Sequence, residues 1–334
     1  VMKARQEETL QRTASYLAAA LDVKNGEEDR ELAMIAKQHD VDPVMQLPWL
    51  SLLGISHSGE TVIKEHLHEP LSQVGGHSFL NGWTFPGATS LSLVANSSDE
   101  RVNIPGTVNP HTIVVHPRPE RWVAVGWRAP AAGRYQLAPS VKDAHDNCGN
   151  GIQWSFEMRR VNHRRVLDSG TVDLGGVAEI APIEELSLEQ GDLVSLVISA
   201  RNQSHVCDLT EIDLQIEALD GNQPSWSLTG DCADDIAVGN PHPDQHGNPQ
   251  VWHFYTGLDS GSEQTPAIPA ASLLSRWLES ADPAEAAQLA ARLESFVTNP
   301  LPEGLAEADT KLHQLLTSAD GPLFSQVDTA ALVD

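Results

Sequence analysis

Basic side chains are scarce in this chain, whose 334 residues carry 21 Lys and Arg against 46 Asp and Glu, a formal charge of minus 25. A surface of that sign repels phosphate backbones, whose binding depends on clustered cations releasing counterions, so no nucleic-acid partner is expected. Long apolar runs are lacking too: no stretch approaches the roughly 18 apolar residues of a membrane-spanning helix, so no membrane span is expected. No signal-peptide pattern is visible, and the chain begins at Val1 inside a helical pattern, as an excised or processed piece would. Cysteine is limited to Cys148, Cys207 and Cys232, with neither a CxxC pair nor the CxxCH of a c-type haem attachment, so haem on this chain is not expected. A GxSxG elbow, an HExxH helix and a phosphate-cradling glycine loop are also missing, and with them the commonest signs of hydrolase or nucleotide chemistry.

What is present favours turns and strands in the middle of the chain. The 24 Gly and 21 Pro suit many short connections better than one helical array. Ile152, Trp154, Phe156 and Met158 alternate with Gln153, Ser155 and Glu157, and Ile212, Leu214 and Ile216 alternate with polar neighbours, the pattern of half-buried strands. Residues 122–127, 134–138, 165–168 and 193–199 add strand candidates at the spacing of a sandwich. Before and after them the period is helical. Leu10, Ala14, Leu17 and Leu21 share one face, as do Ala286, Leu289, Leu293 and Phe296, and Asp42-Pro43 and Asp282-Pro283 place an N-cap before a proline in the first turn. The expected fold is therefore mainly β with α flanks: an antiparallel jelly-roll-like β-sandwich over 77–220 between helical segments at 1–70 and 266–334, with a histidine- and aromatic-rich loop over 221–265 clasping sandwich to helices.

Three constellations invite a functional reading. The segment KDAHDNCGNG offers Asp143, Asp146 and Asn150, which with Asp208 make an oxygen-rich set suited to calcium, although Asp, Asn and Gly are equally what any β-turn prefers. In GNPHPDQHGNPQVWHFY, His242, Asp244, His246 and His253 could ligate a transition metal such as zinc and serve a metal-dependent hydrolase or redox accessory. Pro241, Pro243 and Pro249 forbid the helix that would align His242 with His246, and the competing reading is a loop pinned by Trp252, Phe254 and Tyr255 with its Asn and His side chains bonded to backbone. Trp83, Trp122, Arg121 and Tyr135 are candidates for a carbohydrate face, aromatic rings stacking on a sugar ring beside a hydrogen-bonding guanidinium.

The segments NPHTIVVHPRP from Asn109, CGNGIQWSFEMRR from Cys148, HVCDLTEIDLQI from His205, GNPHPDQHGNPQVWHFY and TSADGPLF from Thr317 resemble the middle region of large secreted planctomycete cytochrome-type multidomain proteins. That resemblance implies an extracytoplasmic location, a sandwich similar to carbohydrate-binding modules, a haem module elsewhere in the parent polypeptide, and an N-terminal part that ends a preceding helical domain. In such a setting disulfides persist, and a Cys148–Cys207 bridge would stabilise by about 4 kcal/mol, the alternative being two unpaired buried thiols. The function expected is that of a noncatalytic, extracytoplasmic module, with polysaccharide and other domains or subunits as partners. A contact module of a surface or filament assembly is the alternative.

Overall fold

Where the sequence places Asp before Pro, a helix starts. The Asp42 carboxylate accepts from Val44 N at 2.9 Å at the head of Pro43–Leu53, and that of Asp282 accepts from Ala284 N at 2.8 Å at the head of Pro283–Thr298. Each cap satisfies an amide that the first helical turn leaves free. The computed structural model describes residues 2–25, 32–55, 61–161, 163–258, 267–302 and 304–324. It divides into a helical unit, built from 1–60, 160–166 and 265–334, and a β unit, built from 61–159 and 167–264.

In the helical unit the two ends of the chain share one core. Leu17, Met45, Trp49 and Leu50 from the N-terminal side are buried in one cluster with Leu274, Trp277, Leu293, Leu312 and Leu316 from the C-terminal side. Tyr16 stacks on Trp49 with ring centroids 6.2 Å apart, and Gln6 Nε2 donates to Thr317 O at 2.8 Å. The N-terminal helices are thus half of a unit that the C-terminal helices complete, rather than only the tail of a preceding domain. Two boundaries also move. The N-terminal helical part stops at residue 60, not 70, and in the helical segment expected over 266–334 the first helix begins at Leu273 behind an N-cap at Ser272, Ala267–Ile268 being a short strand parallel to Arg164 and Arg165.

The β unit is an antiparallel sandwich. One sheet runs in the order Glu69–Leu71, Leu80–Phe85, Ala88–Asn96, Ile113–His116, Thr210–Ala218, Gly133–Asp143 and Ile183–Leu188, with Ser225–Ser227 also paired to Thr210–Ala218. The facing sheet runs Trp252–Leu258, Arg121–Arg128, Leu193–Ala200, Ile152–Arg160, with His163–Val172 beyond. Between them lie Leu93, Val115, Val125, Trp127, Leu137, Phe156, Leu196 and Leu214, the inward residues that period-two alternation supplies.

The segment 221–265 is no separate clasp: Ser225–Ser227 extends the first sheet and Trp252–Leu258 forms an edge of the second. Trp252 and Phe254 point into the sandwich core, while Tyr255, on the reverse face, packs with Trp122, Ala124, Leu193 and Val197. A strand buried on both faces shows no alternation, so this one reads as a loop with aromatics rather than as a strand.

Candidate functional site

The four residues proposed for a transition metal do not converge. His242 Nδ1 lies 2.7 Å from Pro243 O and its Nε2 3.1 Å from the Asp235 carboxylate. Asp244 accepts from Trp226 Nε1 at 2.7 Å, from His246 N and Asn248 N at 3.0 and 2.8 Å, and from Asn248 Nδ2 at 2.8 Å. His246 Nε2 lies 2.8 Å from Ser225 O. Asn240 completes the pattern: its Oδ1 accepts from Phe254 N, and its Nδ2 donates to Phe254 O and Leu67 O, so one side chain supplies hydrogen bonds that a neighbouring strand would supply. These side chains serve the backbone of a proline-broken segment, which corrects the metal assignment.

His253 belongs to a different cluster. Arg128 Nε donates to His253 Nε2 at 3.2 Å, and His253 Nδ1 lies 3.1 Å from His66 Nε2. Because a guanidinium only donates, His253 Nε2 is an acceptor; its proton sits on Nδ1 and is given to His66. Burial, then the Arg128 charge, pushes His253 down to about 3. A histidine that is neutral when folded and ordinary when unfolded contributes stability above pH 6.5 that is lost as pH falls toward 3, so the folded state loses about 2 kcal/mol by pH 5 from this residue. Urea unfolding between pH 7.5 and 4.5 therefore has an acid limb steeper in the wild type than in His253→Gln by up to about 1.4 kcal/mol per pH unit, the uptake of one extra proton on unfolding. Equal slopes would show that His253 is not held neutral.

The carbohydrate candidates do not form one exposed face. Trp122 is 5% exposed, edge-on to Tyr255, and lies so flat on Gly257 that a β-carbon there would sit 2.3 Å from its ring. Tyr135 is 3% exposed, packed against Trp127 and Trp226 with its hydroxyl donating to Ala131 O at 2.7 Å. Arg121 pairs with Glu65 at 2.7 Å and covers the Phe85 ring, and half-buried Trp83 donates to Ile236 O at 2.9 Å. The expectation that Trp122 offers a surface ring is thus overturned by its burial, and Tyr135 is likewise a core residue.

A groove of mixed polar and apolar lining lies elsewhere on the sandwich, with Ala138, Ile216 and Trp226 among its walls. It encloses about 340 Å³ over the outer face of the first sheet and is lined by Gln136, Gln215, Glu217, Ser225, Ser227 and Gln245. Register builds it: Glu217 stands between Gln136 and Ser225, and Gln215 between Ala138 and Ser227, giving two parallel rungs across three strands. The Gln136 amide donates to Glu184 at 2.7 Å. No alternation rule marks these residues, since polar side chains on an outer sheet face are ordinary; only the pairing register reveals that they gather.

The oxygen-rich set is partly assembled. Cys148 and Cys207 form the disulfide, with 5.6 Å between their α-carbons, and so join the turn carrying Asn150 to the one carrying Asp208. Asp143 ends the strand Gly133–Asp143, and its oxygens accept from His145 N at 2.9 Å and Gly175 N at 3.1 Å. Burial pushes Asp143 upward, and burial with the nearby Asp143 charge pushes Asp208 to about 7. Asp146 does not join them; it is exposed and accepts from Asn147 Nδ2. Cys232 is a buried free thiol whose pKa is raised by burial.

Among the described residues no helix is long and apolar enough to cross a membrane. No family model, curated protein or solved structure matches this chain.

Proposed function

We propose that this chain is a noncatalytic, extracytoplasmic binding module of a larger protein, of the planctomycete cytochrome type its motifs resemble, and that its β unit holds a polyhydroxylated ligand such as a polysaccharide in the groove over Gln136 and Gln215. The observation that carries the reading is the double rung itself. Carboxamides present a donor and an acceptor at one end of a side chain, the complement of a vicinal diol, and here they alternate with hydroxyls and one carboxylate on neighbouring strands. Strand spacing of about 4.8 Å sets these groups apart at the scale of substituents around a sugar ring. Trp226 lies buried beneath the groove and offers no open stacking face, so affinity rests on hydrogen bonds made in competition with water and is modest. The disulfide supports the extracytoplasmic assignment, because such bonds persist in oxidising compartments.

A glycan array probed with the whole chain is expected to return neutral or basic polysaccharides rather than strongly acidic ones, given the net charge of minus 25. In the Gln136→Ala/Gln215→Ala double variant, affinity for the best glycan falls at least about tenfold, the loss of one to two hydrogen bonds. A clean array, or a variant that binds like the wild type, would remove the proposal.

A further inference from the structure

Asp208 is 1% exposed, and neither of its carboxylate oxygens receives a hydrogen bond from any described residue. Its neighbouring charge is Asp143, itself 3% exposed. Interiors hold ionised carboxylates where a cation or hydrogen-bond donors compensate them, and here two acidic groups share one buried region while one of them is left without any donor. The guanidinium bonded to the Asn150 turn does not fill that role: Arg201 is spent on the Asp173 carboxylate and on Asn150 O.

A further oxygen stands in the turn that the Cys148–Cys207 disulfide joins to that of Asp208. Asn150 donates its amide to Arg201 O at 2.9 Å, which leaves Oδ1 buried with no partner among the described residues. Gly149 sits at φ +104°, and a β-carbon there would lie 2.7 Å from Val206 O, too close for any larger residue, and in ordinary contact with Asp208 Oδ1 at 3.6 Å, so the backbone of this turn runs against both oxygens. The disulfide one residue away on each side fixes that approach.

We infer that Asp143, Asp208 and Asn150 bind a calcium ion, with backbone oxygen of the Cys207 turn and water completing its shell. The donors are all oxygen and come from a strand end and two loop segments, the irregular arrangement calcium accepts and magnesium, which demands a tight octahedron, does not. Zinc would want nitrogen and sulfur. His145 lies beside Cys148 and Cys207, but those sulfurs are bonded to each other and offer no thiolate. This site is independent of what the groove binds.

The test uses the whole chain stripped with a chelator at pH 8, titrated calorimetrically with calcium chloride, magnesium chloride and zinc chloride in turn, and melted in each. Calcium is expected to bind at one site and, at 100 times its dissociation constant, to raise the melting temperature by about 5 °C or more. Asp208→Asn abolishes both the heat and the shift. Its metal-free form melts no lower than metal-free wild type, because a neutral amide replaces an uncompensated buried anion, whereas a side chain needed only for packing or hydrogen bonding would leave the variant less stable. Asn150→Ala, on a half-exposed turn, weakens calcium binding at least about tenfold. No calcium heat in the wild type, a response to zinc alone, or an Asp208→Asn variant that binds calcium normally would each overturn the assignment.

Discussion

Trp127→Ala is expected to lower the stability of the β unit by about 3–5 kcal/mol, the range for truncating a large buried aromatic side chain. Trp127 is fully buried between the sheets, with the rings of Tyr135 and Trp226 at 5.3 and 5.0 Å and steeply inclined to it. Removing it opens a cavity where strands Arg121–Arg128 and Gly133–Asp143 meet, and two other aromatics lose their edge-to-face partner, so local collapse cannot refill the space. For a unit of this size the melting temperature falls by about 10 °C. Among the described residues the indole nitrogen has no hydrogen-bond partner, so Trp127→Phe sacrifices packing volume but no bond and costs roughly 1–2 kcal/mol. Urea midpoints of the two variants check the pair; an alanine variant within about 1 kcal/mol of wild type would place the core elsewhere.

The second large effect belongs to the cross-link. Cys148 and Cys207 are 59 residues apart, and closing a loop of that length restricts the unfolded chain by about 4 kcal/mol on the loop-entropy account. The double variant Cys148→Ser/Cys207→Ser should lose most of that. Cys207 is held at φ +65°, a region costly for a residue with a β-carbon, and relaxation there returns part of the loss. Because the bridge also joins the turns of Asn150 and Asp208, the same variant is expected to bind calcium more weakly. Urea unfolding under oxidising conditions, with and without calcium, reads both effects. A variant that matches wild type in stability would show that the turns are held by their other contacts, such as the Asn150–Arg201 bonds.

Legibility in the sequence followed burial geometry. Strands with one wet face, such as Ile152–Arg160 and Thr210–Ala218, announce themselves because their polar residues alternate with the core. Helix starts were equally plain, since Asp-Pro carries its own capping chemistry. The strand Trp252–Leu258 was hidden because both its faces are covered, and His253 is drawn inward by Arg128 and His66 rather than outward to water. Trp122 misled for the opposite reason: Glu120 and Arg121 beside it suggest a surface, yet its burial is decided by Gly257, 135 positions away, whose missing side chain makes room for the indole.

The sites divide in the same way. Composition located the oxygen donors of Asp143, Asn150 and Asp208, but an aspartate that caps a turn and one that is buried without a donor look alike as letters; Asp146, in the same segment, is exposed. The groove was invisible because Gln136, Gln215 and Ser225 become neighbours only through register across two strand pairings. In both cases residue types were readable and their juxtaposition was not, since long-range pairing is a property of the fold rather than of any short window.

The most direct test of the binding-module account is a crystal structure of the whole chain grown with the oligosaccharide that binds best on the array. The account predicts sugar density over the outer face of the first sheet, with ring hydroxyls within hydrogen-bond distance of the Gln136 and Gln215 carboxamides. Sugar seated instead beside Trp83 and Arg121, or on the helical unit with the groove bare, would contradict it.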